Sequence, residues 1–264
     1  MLRFAANVSM LFPEAPFLAR FALAARAGFA AVECQFPYGA PAAEIRARLD
    51  DLGLAMVLHN LPAGDWAAGD RGIACLPQRV DEFRAGVACA IAYAHALGVR
   101  QVNCLAGIAP AGADAGSLRR TLVANLRFAA RALAAEGLTL LVEPINTFDI
   151  PGFLVNRTAQ CVALIDDVGE PGIFVQYDAY HMQRMEGELA GTLARHLPRI
   201  AHIQVADHPG RHEPGTGEIQ FEFLFAELER LGYDGWIGCE YRPAGRTDAG
   251  LGWLPAGALS PRGA

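Results

Sequence analysis

Thr139-Leu140-Leu141-Val142-Glu143-Pro144-Ile145-Asn146 sets four apolar or β-branched residues directly before a carboxylate and a proline. The run is short and is bounded by Gly137 and Pro144, so it reads as a buried strand rather than a helix. Pro144 has no N–H to give to a ladder, so the strand ends at or beside Glu143. A carboxylate at the dry end of a strand is costly unless it is paired, hydrogen-bonded or bound to a metal. Three further runs end alike: 173–178 on Asp178, 200–207 with Gln204 near its end, and 236–240 on Glu240. One such residue is explained by a satisfied polar group at a strand end. Four consecutive strands delivering an oxygen at the same end are not.

Working outward, strands are expected over 2–7, 31–35, 54–59 and 100–105 ahead of these four. Helical spacing covers 12–27, 41–52, 79–97, 118–136, 158–168 (with Thr158 as cap), 188–196 and 221–231. Strand and helix thus alternate eight times in 264 residues. That pattern predicts one α/β domain over 1–264, a (β/α)8 TIM barrel. Only 24 residues follow Glu240, and they are rich in Gly, Pro and Ala. The eighth helix is therefore expected to be short or irregular, with a frayed tail over 251–264. The Gly-rich stretch 61–72, with Trp66 at its centre, reads as a lid over the site.

Composition narrows the function. A net charge of −6 and a pI near 5.6 argue against a nucleic-acid groove or an anionic membrane surface as partner. All 22 basic residues are arginine, which rules out Schiff-base and pyridoxal-phosphate chemistry on a lysine. The six cysteines form no CxxC pair and several lie in apolar runs, as expected of buried thiols in a reducing, cytoplasmic setting. No leader segment and no membrane span is recognised. The expected partners are a small-molecule substrate and, at most, further copies of the same chain.

Barrel enzymes keep their chemistry at the C-terminal ends of the strands, and residues two apart on a strand share a face. Glu143, Asp178, Gln204 and Glu240 then form one ring at the barrel mouth, with His202 one layer deeper and Glu33 also inside. Three carboxylates in a ring need a cation, and oxygen ligands favour Mg²⁺ or Mn²⁺. Two of them flanking a substrate carbon can move a proton to its neighbour, the layout of an aldose–ketose isomerisation through an enediolate. His181, three residues past Asp178, is a candidate for a substrate oxygen, against a plain helix-start histidine. Arg211 is a candidate clamp for a substrate carboxylate, against a solvated loop charge. His59 ends the third strand and either faces the pocket or packs in the core.

At these residues the chain resembles the hydroxypyruvate isomerase family of the xylose-isomerase-like barrel superfamily. The segments that carry the likeness are 59–69, Glu143-Pro-Ile-Asn146, Asp149-Ile-Pro-Gly-Phe153, 176–187, Glu213-Pro-Gly-Thr-Gly-Glu218 and Gly238-Cys-Glu-Tyr241. The resemblance implies interconversion of two three-carbon hydroxy-oxo acids, with Glu143 and Glu240 as the proton-transfer pair. It also implies Glu143, Asp178, Gln204 and Glu240 as the shell of a divalent metal. The superfamily's sugar epimerases are similar but carry a histidine where Gln204 stands, and an amide oxygen is a weaker ligand. Rival expectations are a 2-oxo-tetronate isomerase, a ketose 3-epimerase, a non-catalytic sugar-acid binder and, remotely, a metal-dependent phosphodiester hydrolase.

Overall fold

The structure, a computed structural model, describes residues 1–259 of the chain. Eight parallel strands follow one another in sequence order and close on themselves: β1 (Arg3–Asn7), β2 (Ala31–Glu33), β3 (Ala55–Asn60), β4 (Gln101–Cys104), β5 (Thr139–Val142), β6 (Ile173–Asp178), β7 (Ile200–Val205) and β8 (Trp236–Cys239). The closing pair sets Arg3–Ala6 of β1 against Trp236–Cys239 of β8, so no sheet edge is left open. The outer layer is α1 (Phe17–Arg26), α2 (Ala42–Leu52), α3 (Val80–Leu97), α4 (Ala115–Ala135), α5 (Thr158–Val168), α6 (Ala179–Met185), α7 (Leu189–His196) and α8 (Phe221–Arg230). This is the expected TIM barrel, and among the described residues its last unit carries a 3-10 turn, Asp248–Trp253, in place of an α-helix.

Three local features depart from the sequence reading. A helix, α6, starts on the last residue of β6, because the Asp178 carboxylate accepts the Tyr180 N–H at 2.9 Å and caps it. Thr158 is not the cap of α5; Arg157 holds that place in an extended conformation. The Glu186 carboxylate supplies the missing acceptor, taking the Thr158 N–H at 3.2 Å and its hydroxyl at 2.6 Å. Within the stretch 251–264, Leu251 is buried and Trp253 stacks on Phe225 with ring centroids 6.0 Å apart, while 260–264 lie outside the described residues.

Register decides what meets inside the barrel. Asp178 lies beside Gln204, and Gln204 beside Gly238, so Glu240 rises two residues above that level. Asn7 pairs with Glu33, and Asn103 with Leu141, below Glu143. The interior is therefore polar where many barrels stack aliphatic side chains. Glycine at 238 is a packing necessity. A Cβ there would stand 2.3 Å from a carboxylate oxygen of the fully buried Glu33.

Candidate active site

Glu240 follows β8 directly and is held from four sides. Asn7 Nδ2 donates to Oε2 at 2.8 Å and Gln204 Nε2 to the same oxygen at 2.7 Å. Gln35 Nε2 and Arg211 Nη2 donate to Oε1 at 3.2 and 2.7 Å. Beneath it, Glu33 accepts from Asn7 and Gln204 and meets His202 Nε2 at 2.6 Å. His202 thus packs on the buried Glu33 carboxylate, away from the mouth.

Glu143 follows β5 in the same way but meets only neutral donors. Asn103 Nδ2 and Gln176 Nε2 both donate to Oε2, at 2.9 and 3.0 Å. Burial, and then the charges of Glu240 and Asp178, push its carboxyl well above the usual range. Glu240 is also pushed up by burial, but the Arg211 guanidinium pulls the other way and it comes to about 7. The Asp178 carboxyl is raised as well, by burial, and Arg211 opposes that shift too, its Nη2 3.1 Å from Oδ2.

His181 stands on α6 with Nε2 3.5 Å from Asp178 Oδ2 and 3.8 Å from Glu143 Oε1. Burial and the Arg211 charge hold its pKa well below the ordinary value, so the ring is neutral. Its tautomer follows from Asn146. The amide oxygen of Asn146 accepts the N–H groups of Phe148 and Asp149 at 3.1 and 2.8 Å, so its nitrogen faces His181 Nδ1, at 2.6 Å. Nδ1 is thereby the acceptor, and the ring proton sits on Nε2, aimed at the carboxylates.

These groups open on a cavity of about 250 Å³ at the C-terminal mouth, lined among others by Gln35, Asn60, Trp66, Glu143, His181, Arg211 and Glu240. Trp66 is 40 % exposed, stacked beneath Arg71 with the guanidinium 4.0 Å from its ring centre. Its loop is pinned: Asp70 accepts the Asp65 N–H at 2.7 Å and Arg79 Nη1 at 2.6 Å. His59 does not line this cavity. Its Nδ1 lies 3.2 Å from the Tyr38 hydroxyl, burial lowers its pKa to about 4, and it is the next residue, Asn60, that faces in.

The donor set fits a divalent cation. Glu33, Glu143, Asp178 and Glu240 are all buried, and the arginine among them is Arg211. That leaves an excess of negative charge which a hard, oxygen-seeking ion would offset. Among the described residues, Glu143 and Asp178 bring carboxylate oxygens, and His181 a ring nitrogen, within 4.8 Å of one another. With its proton on Nε2, His181 stands there as a donor and the two carboxylates as the ligands. Glu240 does not join that set, being drawn toward Asn7, Gln204 and Arg211. The Gln204 oxygen accepts from Gln176 Nε2 at 2.7 Å, so its amide nitrogen is what faces Glu240. The sequence reading passed over Asn7, Asn103, Gln176 and Asn146, the amides that orient both glutamates and His181.

A family model described as xylose isomerase-like TIM barrel matches residues 21–256. Over 254 residues the chain is 56 % identical to hydroxypyruvate isomerase of Escherichia coli K12, covering 96 % of this chain and 98 % of that one. The chain belongs to this family. Within it, 2-oxo-tetronate isomerase of Cupriavidus necator is 52 % identical over 96 % of this chain and 98 % of its own. Among solved structures, a Brucella melitensis protein described as AP endonuclease, family 2, superposes with a TM-score of 0.94 at 45 % identity, covering 96 % and 98 % of the two chains. An L-ribulose 3-epimerase shares the fold with a TM-score of 0.73 at 27 % identity, covering 95 % of this chain and 85 % of that one.

Proposed function

We propose that this family member is a hydroxypyruvate isomerase, interconverting hydroxypyruvate and tartronate semialdehyde through an enediolate, with Mg²⁺ or Mn²⁺ as cofactor. The observation that carries the reading is the pair Glu143 and Glu240: two buried carboxyls in unlike surroundings that line one cavity sized for a short acid. Two titrating groups pushed apart by their environments make an acid and a base.

Glu240, the more readily ionised, takes a proton from C3 of hydroxypyruvate. The electron pair forms the C2–C3 double bond and leaves negative charge on O2. Glu143, holding its proton, delivers it to C2 as the hydroxyl proton of O3 passes to O2, which leaves an aldehyde at C3. Glu240 is then protonated and Glu143 ionised, and proton exchange between them restores the start. His181 Nε2–H donates to a substrate oxygen, Arg211 receives the substrate carboxylate, and Trp66 keeps water from the enediolate. Glu143, Asp178 and Glu240, with Gln204 after an amide turn, would hold the divalent ion, which when bound stabilises the charge that develops on the substrate oxygens.

A 2-oxo-tetronate is the second reading, favoured by the relative at 52 % identity and needing the same proton chemistry on one more carbon. Product analysis on a panel of three- and four-carbon hydroxy-oxo acids tests both. Conversion of hydroxypyruvate as the best substrate is expected; preference for the four-carbon acid would move the assignment to the second reading. Phosphodiester hydrolysis is disfavoured because, among the described residues, the cluster with metal-ligand spacing, Glu143, Asp178 and His181, holds a single histidine. We also assign the reaction to the cytoplasm, since all six cysteines are free.

A further inference from the structure

Arg211 is placed with unusual care for a loop residue. Its backbone adopts φ +58°, in the left-handed region, and survives there because the surroundings impose it. Its carbonyl accepts the Arg242 N–H at 2.7 Å, and Asp207 bridges to His212 across the turn. The Asp207 carboxylate gathers the whole loop, accepting the N–H groups of His208, Gly215, Gly217 and Ile219 at 2.8, 2.8, 2.9 and 3.1 Å. The Tyr180 ring lies under the guanidinium, 5.1 Å away. The result is one nitrogen, Nη2, serving Asp178 on β6 and Glu240 beyond β8 together. The seat is incomplete, since Nε is buried with no partner.

We infer that Arg211 is a resident counter-cation that competes with the divalent ion for Asp178 and Glu240. The guanidinium neutralises these two oxygens in the metal-free enzyme and must leave them when an ion binds there. Its released donors, with the unpartnered Nε, are then free for the carboxylate of the incoming acid. An ion of charge +2 then stands where a guanidinium of charge +1 stood, and the released guanidinium meets the carboxylate of the acid, so carboxylate binding is coupled to occupancy by the metal. A guanidinium can hold two carboxylates at once through charge-assisted hydrogen bonds, but its nitrogen and a metal cannot share the same lone pairs. This inference rests on the metal-assisted reading above and adds to it an order of events.

The test is Mn²⁺ binding to the chelator-treated full chain, followed by electron paramagnetic resonance, for the wild type, Arg211→Met, Arg211→Gln and Glu143→Gln. Loss of the competitor is expected to tighten Mn²⁺ about ten- to hundred-fold in both Arg211 variants, the worth of one or two charge-assisted hydrogen bonds, while Glu143→Gln weakens it. In the wild type, Mn²⁺ should raise the reactivity of Arg211 toward phenylglyoxal, read by peptide mapping, which decides the matter even if the variants misfold. Unchanged or weaker Mn²⁺ binding in the Arg211 variants, or unchanged Arg211 reactivity, overturns the inference while the metal site stands. Absence of Mn²⁺ binding in every protein overturns the metal reading and the inference with it.

Discussion

Glu143 and Glu240 are the same residue in the same place, one position past a barrel strand and almost wholly buried, yet their corners of the site differ. Around Glu143 the donors are the amides of Asn103 and Gln176. Around Glu240 they are the amides of Asn7, Gln204 and Gln35 and the charge of Arg211. Burial raises both carboxyls, and only Glu240 has a full positive charge in hydrogen-bonding contact to hold it near neutrality. On the proposed reading, identical side chains serve as a proton donor and a proton acceptor through their neighbours alone.

The contrast breaks most visibly in turnover. Glu143→Gln and Glu240→Gln are each expected to lower kcat for hydroxypyruvate at least ~10²-fold, the contribution of a positioned acid or base. Retention of turnover in either would remove that residue from the chemistry. Next in size is Gly238→Ala. The added methyl meets the Glu33 carboxylate, so the variant should lose about 1–3 kcal/mol in urea unfolding, the usual cost of overpacking. It should also disturb the Glu240 corner, through Asn7 and Gln204, more than the Glu143 corner. A smaller effect is expected of Asn103→Leu, which strips one neutral donor from Glu143, and one from Asn60, and leaves Glu240 its donors. Its carboxyl should hold its proton still more tightly, with a loss of activity of about tenfold, concentrated in kcat.

The pH dependence sharpens the contrast further. Glu240 must be ionised to act as base, so kcat/KM should rise as pH climbs through about 7. Glu143 must be protonated to act as acid, so the fall on the alkaline side belongs to it. Added Mn²⁺ should move the acid limb to lower pH. Stability follows the same sign. The folded carboxyl of Glu240 sits above its ordinary value of 4.5, so the folded state holds this proton more tightly. The stability gained is full below 4.5 and is lost as pH rises to about 7. Thermal melts of Glu240→Gln across that window should show a flatter slope than the wild type.

Much of this was legible in the chain because a strand has a period of two. Pro144 follows the last residues of β5, and the same parity turns Asp178, Gln204 and Glu240 inward, where Gln204 donates to Glu240 and Arg211 touches both carboxylates. Of the two places open to His59, the core is the one it takes. β3 runs to Asn60, whose side chain takes the inward place and accepts from Asn103. The register slips at Val32/Glu33 next door, and nothing in the composition of either strand announces that. Asn7, Asn103 and Gln176 were invisible for another reason: an amide becomes informative only when register brings a carboxylate opposite it. α6 is legible only as the helix start weighed for His181, because seven residues carry too little periodicity to mark a helix.

The most direct test of the division between the two corners is proton NMR of hydroxypyruvate in D₂O with each single variant. Glu143→Gln keeps the base and loses the acid, so deuterium should still enter C3 while tartronate semialdehyde fails to accumulate. Glu240→Gln should show neither exchange nor product. Exchange at C3 with Glu240→Gln, and none with Glu143→Gln, would contradict the account and reverse the roles of the two glutamates.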